Sequence, residues 1–144
     1  MSFREKSAWI TVVTVLLCFG AYFGPIAVGW VDGRGHRALY LLAHSVMALV
    51  VLQVGLNIWA ARTTPRHSRA PRDERETAIL ARSHTVGYYV LLVSVLSLFA
   101  PAHFGHPTPD LLNFVLLDVV VAVLTVAVAQ IVMFRQIVMF QGGG

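Results

Sequence analysis

One acidic side chain interrupts an otherwise apolar run: Asp118, set between Val115-Leu116-Leu117 and Val119-Val120-Val121. In a medium of low dielectric an ionised carboxylate costs several kcal/mol unless it is paired, hydrated or protonated, so an acid in such a run is a candidate for handling a proton or a cation. His44 is the natural partner by depth. It lies seven residues past Arg37, and Asp118 lies eight past Asp110. At about 1.5 Å of rise per residue, both fall roughly 10 to 12 Å from the same end of their helices. An Asp and a His at matched depth can share a proton. The plainer alternative is a hydrogen bond to a neighbouring helix that fixes register. Asn113, five residues before Asp118, is a further candidate for that group. Gln53 and Asn57, four apart, share one helix face, with Gly55 between them and Gln130 at similar depth. These residues point to close helix packing.

The six histidines invite a metal or haem reading. His36, His103 and His106 fall near one end of the spans, with only Asp32 and Asp110 as acidic company. A metal site needs three or four ligands, usually including carboxylates or thiolates. Haem would need two facing histidines inside the bilayer, whereas His44 is deep and His84 lies towards the opposite surface. No cofactor or metal site is therefore assigned. Cys18 is the single cysteine, which excludes an intrachain disulfide and thiol-pair redox chemistry. Its apolar setting suits an inert buried thiol.

The elements that must carry these residues are dictated by composition. Of 144 residues, 57% are hydrophobic and 12% charged, against about 25% charged in soluble domains. The mean hydropathy is +0.71. Four apolar stretches, residues 8–31, 38–61, 79–100 and 111–134, each reach the roughly 20 residues that cross a hydrocarbon core. They must be helices, because a strand edge in lipid leaves backbone hydrogen bonds unmet. The reading is an all-α, polytopic membrane protein, with one four-helix transmembrane domain over residues 1–144. Trp9 and Trp30, and Tyr40 and Trp59, sit near the ends of the first two spans, where amphipathic rings suit the headgroup level. The first run is too long for a signal-peptide core, so it is expected to stay in the mature protein.

Charge sets the orientation. Arg4, Lys6, Arg62, Arg66, Arg69, Arg72, Arg75, Arg82 and Arg135 fall on one side, and only Arg34 and Arg37 on the other. Nine against two places both termini and the basic loop 62–76 in the cytoplasm. The net charge of +4 is thus explained by topology and anionic headgroups, and no recognition motif supports nucleic-acid binding. A weak repeat relates Glu5-Lys6-Ser7-Ala8-Trp9-Ile10 to Glu74-Arg75-Glu76-Thr77-Ala78-Ile79, which suggests two helical hairpins in parallel relation. The tail repeats Gln130-Ile131-Val132-Met133-Phe134 as Gln136-Ile137-Val138-Met139-Phe140 and ends in Gly142-Gly143-Gly144.

The clearest local motif is Asp73-Glu74-Arg75-Glu76, followed by Ile79, Arg82-Ser83-His84 and Tyr88-Tyr89. Acids in a first turn complement the helix dipole, and Arg82 lies one turn beyond Ala78. This pattern, with the opening Phe3-Arg4-Glu5-Lys6-Ser7-Ala8-Trp9-Ile10, resembles uncharacterised prokaryotic four-helix inner-membrane proteins. The resemblance covers nearly the whole chain through short motifs. It implies this fold and the inner membrane, but no activity. Members often finish on a basic run, whereas this chain has Arg135 and the repeated tail. Other four-helix membrane families fit worse. Disulfide-handling enzymes need several cysteines, and small multidrug exporters carry an acid in the first helix. Arg82-Ser83-His84-Thr85 lacks the Asn and Glu that follow the Arg-Ala-His of membrane glutathione-handling enzymes. The function expected is therefore non-enzymatic: association with a second copy or with another membrane protein. The alternative is a small oligomeric proton-coupled transporter or channel subunit using Asp118 and His44.

Overall fold

The computed structural model describes residues 3–63 and 74–141. Every described element is a helix: α1 (Phe3–Ala27), α2 (His36–Thr63), α3 (Glu74–Ser97), the short α4 (Phe99–His103) and α5 (Thr108–Gln141). Among the described residues four spans, with α3 and α4 forming one of them, are long and apolar enough to cross a membrane. The chain is a multi-pass helical membrane protein. Little of its apolar surface is covered: only about a fifth of the α1 and α5 windows, and 6% of those in α2 and α3, are buried. In lipid this exposure carries no hydrophobic penalty, since acyl chains are as apolar as leucine.

The helices depart from the expected spans at one end, and prolines and glycines account for it. α1 stops at Ala27 rather than running to residue 31. Gly29 adopts a positive φ of 79°, and the Trp30 and Gly29 amides donate back to the carbonyls of Pro25 (2.9 Å) and Ile26 (3.1 Å). That is the Schellman arrangement, which satisfies carbonyls a helix terminus leaves bare. The third span ends the same way: Gly105 has φ 77°, and His106 and Gly105 donate to Pro101 (3.2 Å) and Ala102 (3.2 Å). Both helices that rise from the basic end thus close on Pro-x-x-x-Gly. The break between α3 and α4 also belongs to Pro101. It has no N–H for the Ser97 carbonyl four residues back, and its ring crowds that oxygen.

Packing runs in the order α2–α1–α5–α3, through substantial α1–α2, α1–α5 and α3–α5 interfaces. Two hairpins, α1/α2 and α3/α5, therefore meet through α1 and α5, without a comparable α2–α3 contact to close the set. The start of α1, the end of α2, the start of α3 and the end of α5 share one end of the bundle. That end carries Lys6, Arg62, Arg82 and Arg135. The opposite end holds Arg34 and Arg37.

α3 and α5 approach most closely. Ser83 is fully buried, and a Cβ on Gly87 would run into the Val126 side chain. Ser83 and Gly87 are four apart, the small-x-x-x-small spacing by which membrane helices bring backbones together.

Candidate functional site

Among the described residues, three groups of polar side chains link the helices, besides an ion pair at the basic end. The largest joins α1 to α2. Ser7, Thr11 and Thr14 recur at helical spacing on α1 and face Gln53 and Asn57 on α2. The Ser7 hydroxyl donates to Asn57 Oδ1 (2.6 Å), and Asn57 Nδ2 donates to the Gln53 carbonyl (2.7 Å). Gln53 Nε2 donates to Thr11 Oγ1 (2.7 Å), and the Thr11 hydroxyl passes on to the Ser7 carbonyl (3.1 Å). The Thr14 hydroxyl, 1% exposed, donates to Gln53 Oε1 (2.6 Å), with the Ile10 carbonyl as its other close acceptor (2.7 Å). Gln53 and Asn57 thus share a face, and what they face is a hydroxyl ladder. Each such contact between membrane helices is worth about 0.6 kcal/mol on average. The ladder's main effect is to fix one register of α1 against α2.

The second group ties α1 and its following turn to α5 at the far end. Tyr22, buried, donates to Asn113 Oδ1 (2.8 Å), and Asn113 Nδ2 reaches the Gly33 carbonyl (3.4 Å). Just beyond, Arg34 forms a two-pronged pair with Asp110, Nε to Oδ1 at 2.9 Å and Nη2 to Oδ2 at 2.6 Å. The hydrogen bond and charge of Asp110 push Arg34 above the ordinary guanidinium range. Asn113 is thereby committed to Tyr22 and Gly33, with no hydrogen bond to Asp118. The third group is smaller: Gln130 Nε2 donates to Ser83 Oγ (3.3 Å) across the α3–α5 contact. At the basic end Arg135 pairs with Glu5 (3.4 Å) and lies over the Trp9 ring, 5.7 Å from its centre.

Asp118 and His44 belong to none of these groups. Asp118 is half-buried, and its Oδ2 is a buried oxygen with no hydrogen-bond partner. His44 is exposed, and its Nδ1 lies 2.7 Å from the Tyr40 carbonyl one turn back. Its facing follows from spacing. Gln53 points at α1, and His44 precedes it by nine residues; at about 100° per residue that is roughly half a turn away, on the outer face of α2. Depth is the ground for pairing the two residues; among the described residues no hydrogen bond joins them.

Of the motif before α3, Asp73 lies outside the described residues, as do Arg66, Arg69 and Arg72. Glu74 is in the first turn of α3 and exposed, Arg75 is helical with its side chain outside the description, and Arg82 is exposed. Gly142–Gly144 lie outside as well, while the repeated 136–140 segment continues α5 to Gln141. His103 and His106 are exposed and each stacks edge-on with a phenylalanine, Phe104 and Phe114. Among the described residues no three His, Cys, Asp or Glu converge.

Two features escaped the reading of spacing alone. Tyr22 gives no sign in sequence that it, rather than Asp118, would satisfy Asn113. Ser83-x-x-x-Gly87 carried a legible small-residue signal on α3. Comparison with protein-family models, with curated proteins and with solved structures yields no match.

Proposed function

We propose that this protein is a non-enzymatic bundle of the prokaryotic cytoplasmic membrane, with its basic end in the cytoplasm, that acts by self-association through the outer face of α2. The observation that carries the reading is His44, an imidazole on the exposed side of a span, opposite the helix's own packing face. A polar ring turned to lipid is costly, and a partner helix removes the cost. His44 also sits in a seam. Leu41, His44, Ala48, Val51, Gly55 and Ile58 follow one another at alternating spacings of three and four, the repeat by which helices pair along their length. The seam is low where pairing needs it: nothing lies within 4 Å of a Cβ placed on Gly55.

Two copies in one membrane orientation present parallel α2 helices related by a two-fold axis, so every contact occurs twice. The carbonyl beside His44 Nδ1 only accepts, so Nδ1 carries the hydrogen and Nε2 is left as an acceptor. The Tyr40 hydroxyl of a second copy, one turn away on the same face, is the donor it would meet. Cross-linking tests this. In Cys18→Ser protein in native membranes, Val51→Cys should give an oxidised dimer and Val93→Cys on α3 should not. Adding Gly55→Ile should remove the Val51→Cys dimer. Equal cross-linking at both positions, or a dimer indifferent to Gly55→Ile, would overturn the proposal.

A second reading, a proton-coupled transporter or channel subunit, has one observation in its favour: the unpartnered Oδ2 of Asp118. In that reading Asp118 and His44 would act together only across copies or after rearrangement.

A further inference from the structure

Between α1, α3 and α5, in the half of the bundle nearer the basic end, runs an open groove of about 480 Å³. That size falls within the usual range of small-molecule sites, roughly 300 to 1,000 Å³. Its floor is the face of α5 around Val123 and Val126, and its polar lining comes from Thr11, His84, Tyr88 and Gln130. Thr11 is engaged in the hydroxyl ladder, and Gln130 spends one amide hydrogen on Ser83. His84 and Tyr88, both exposed, have no hydrogen-bond partner among the described residues. The groove stays open at the side because α2 and α3 form no interface comparable to the others.

We infer that this groove binds a neutral, lipid-soluble molecule with two carbonyl acceptors on one flat ring, a para-quinone with an apolar tail. The lining sets the class. It contains no Lys, Arg, Asp or Glu, so a charged headgroup would be taken out of water with no permanently charged partner, which is unfavourable at this depth. The unspent groups are able to donate: a ring N–H of His84, the Tyr88 hydroxyl and the second amide hydrogen of Gln130. Each also carries an acceptor (the second ring nitrogen of His84, the Tyr88 oxygen and Gln130 Oε1), and a ligand presenting acceptors meets all three donors. His84 and Tyr88 are four residues apart on one face of α3, a rise of about 6 Å. Two acceptors at opposite edges of a single ring have a separation of that order, so each donor meets an acceptor of its own. The apolar floor takes the ring face, and the lateral opening lets a tail pass into the acyl chains.

The test uses the full chain in lipid nanodiscs, with a para-benzoquinone bearing a decyl tail as probe and empty nanodiscs as the partition control. Saturable retention above empty discs is expected, with none for decylbenzene, which has the tail and ring but no acceptors. His84→Leu and Tyr88→Phe should each weaken binding about tenfold, and Val123→Trp, which fills the floor from an exposed position, should abolish it. Retention of decylbenzene equal to that of the quinone, or quinone binding unchanged in Val123→Trp and in both donor variants, would overturn the inference.

Discussion

Asp118 is the side chain on which structural and transport roles divide. Its Oδ2 has no hydrogen bond to lose, and a group without a partner contributes no net bond energy when it is replaced. Asp118→Asn, which keeps the shape and removes the acid, should therefore change unfolding stability in detergent by less than about 1 kcal/mol. It should also leave the Val51→Cys cross-link intact. A loss above about 2 kcal/mol would reveal a partner that the fold places there. A proton flux in liposomes that disappears only in Asp118→Asn would move the function to the transport reading. The contrast with Gln53 and Asn57 is instructive. Their four-residue spacing announced a shared face, and hydroxyl-bearing Ser7, Thr11 and Thr14 supplied complementary groups at the same period. Asp118 and His44 were related by depth, which is one coordinate of a helix; facing is the other. That second coordinate was recoverable for His44, because Gln53 and Asn57 had to turn inward and their period sends His44 outward. For Asn113 it was not, since the choice of Tyr22 as its partner depends on how α1 lies across α5.

At the level of elements, α3 and α5 hold together by shape. Gly87 sits against Val126 and the Ala122 carbonyl, the latter 3.4 Å from where a Cβ would be. Overfilling a packed contact typically costs 1 to 3 kcal/mol, so Gly87→Val should destabilise the protein by about that amount, and Val126→Ala in the same chain should restore part of it. Thermal unfolding of the two single variants and the double variant reads this directly. A Gly87→Val protein as stable as its parent would mean that the helices are free to separate there. The element centres were legible because lipid demands long apolar helices and little else. The ends were less so. Val28 to Val31 read as span by hydropathy, yet Gly29 takes the left-handed conformation that closes α1. The split of the third span follows from Pro101, whose effect falls on Ser97, a full turn before it. Hydropathy averages over such local backbone chemistry, but Pro25-x-x-x-Gly29 and Pro101-x-x-x-Gly105 were present as a repeat in their own right.

Over the whole molecule, three polar ties join the two hairpins through α5 to α1 or to the turn after it. Tyr22–Asn113 and Arg34–Asp110 lie at one end, and Glu5–Arg135 at the other. Each hairpin satisfies its own backbone hydrogen bonds, so in lipid it is a unit able to insert by itself and then associate. The division of labour follows: apolar contact and small residues bring α1 and α5 together, and charges at the two ends select the alignment. A chain divided within residues 64–73 and expressed as two halves should therefore reassemble and co-purify. Asp110→Arg should weaken that recovery by placing like charge against Arg34, and Arg34→Glu in the other half should restore it. Restoration matters more than loss, because many substitutions weaken assembly while only a true pair recovers when its signs are exchanged. The tie is exposed and close to water, so its benefit should also shrink as salt is raised. Halves that never co-purify would place the information for assembly in the connection between the hairpins. Halves that assemble equally well with Asp110→Arg alone would reduce the Arg34–Asp110 pair to a surface contact, leaving Tyr22–Asn113 to align that end.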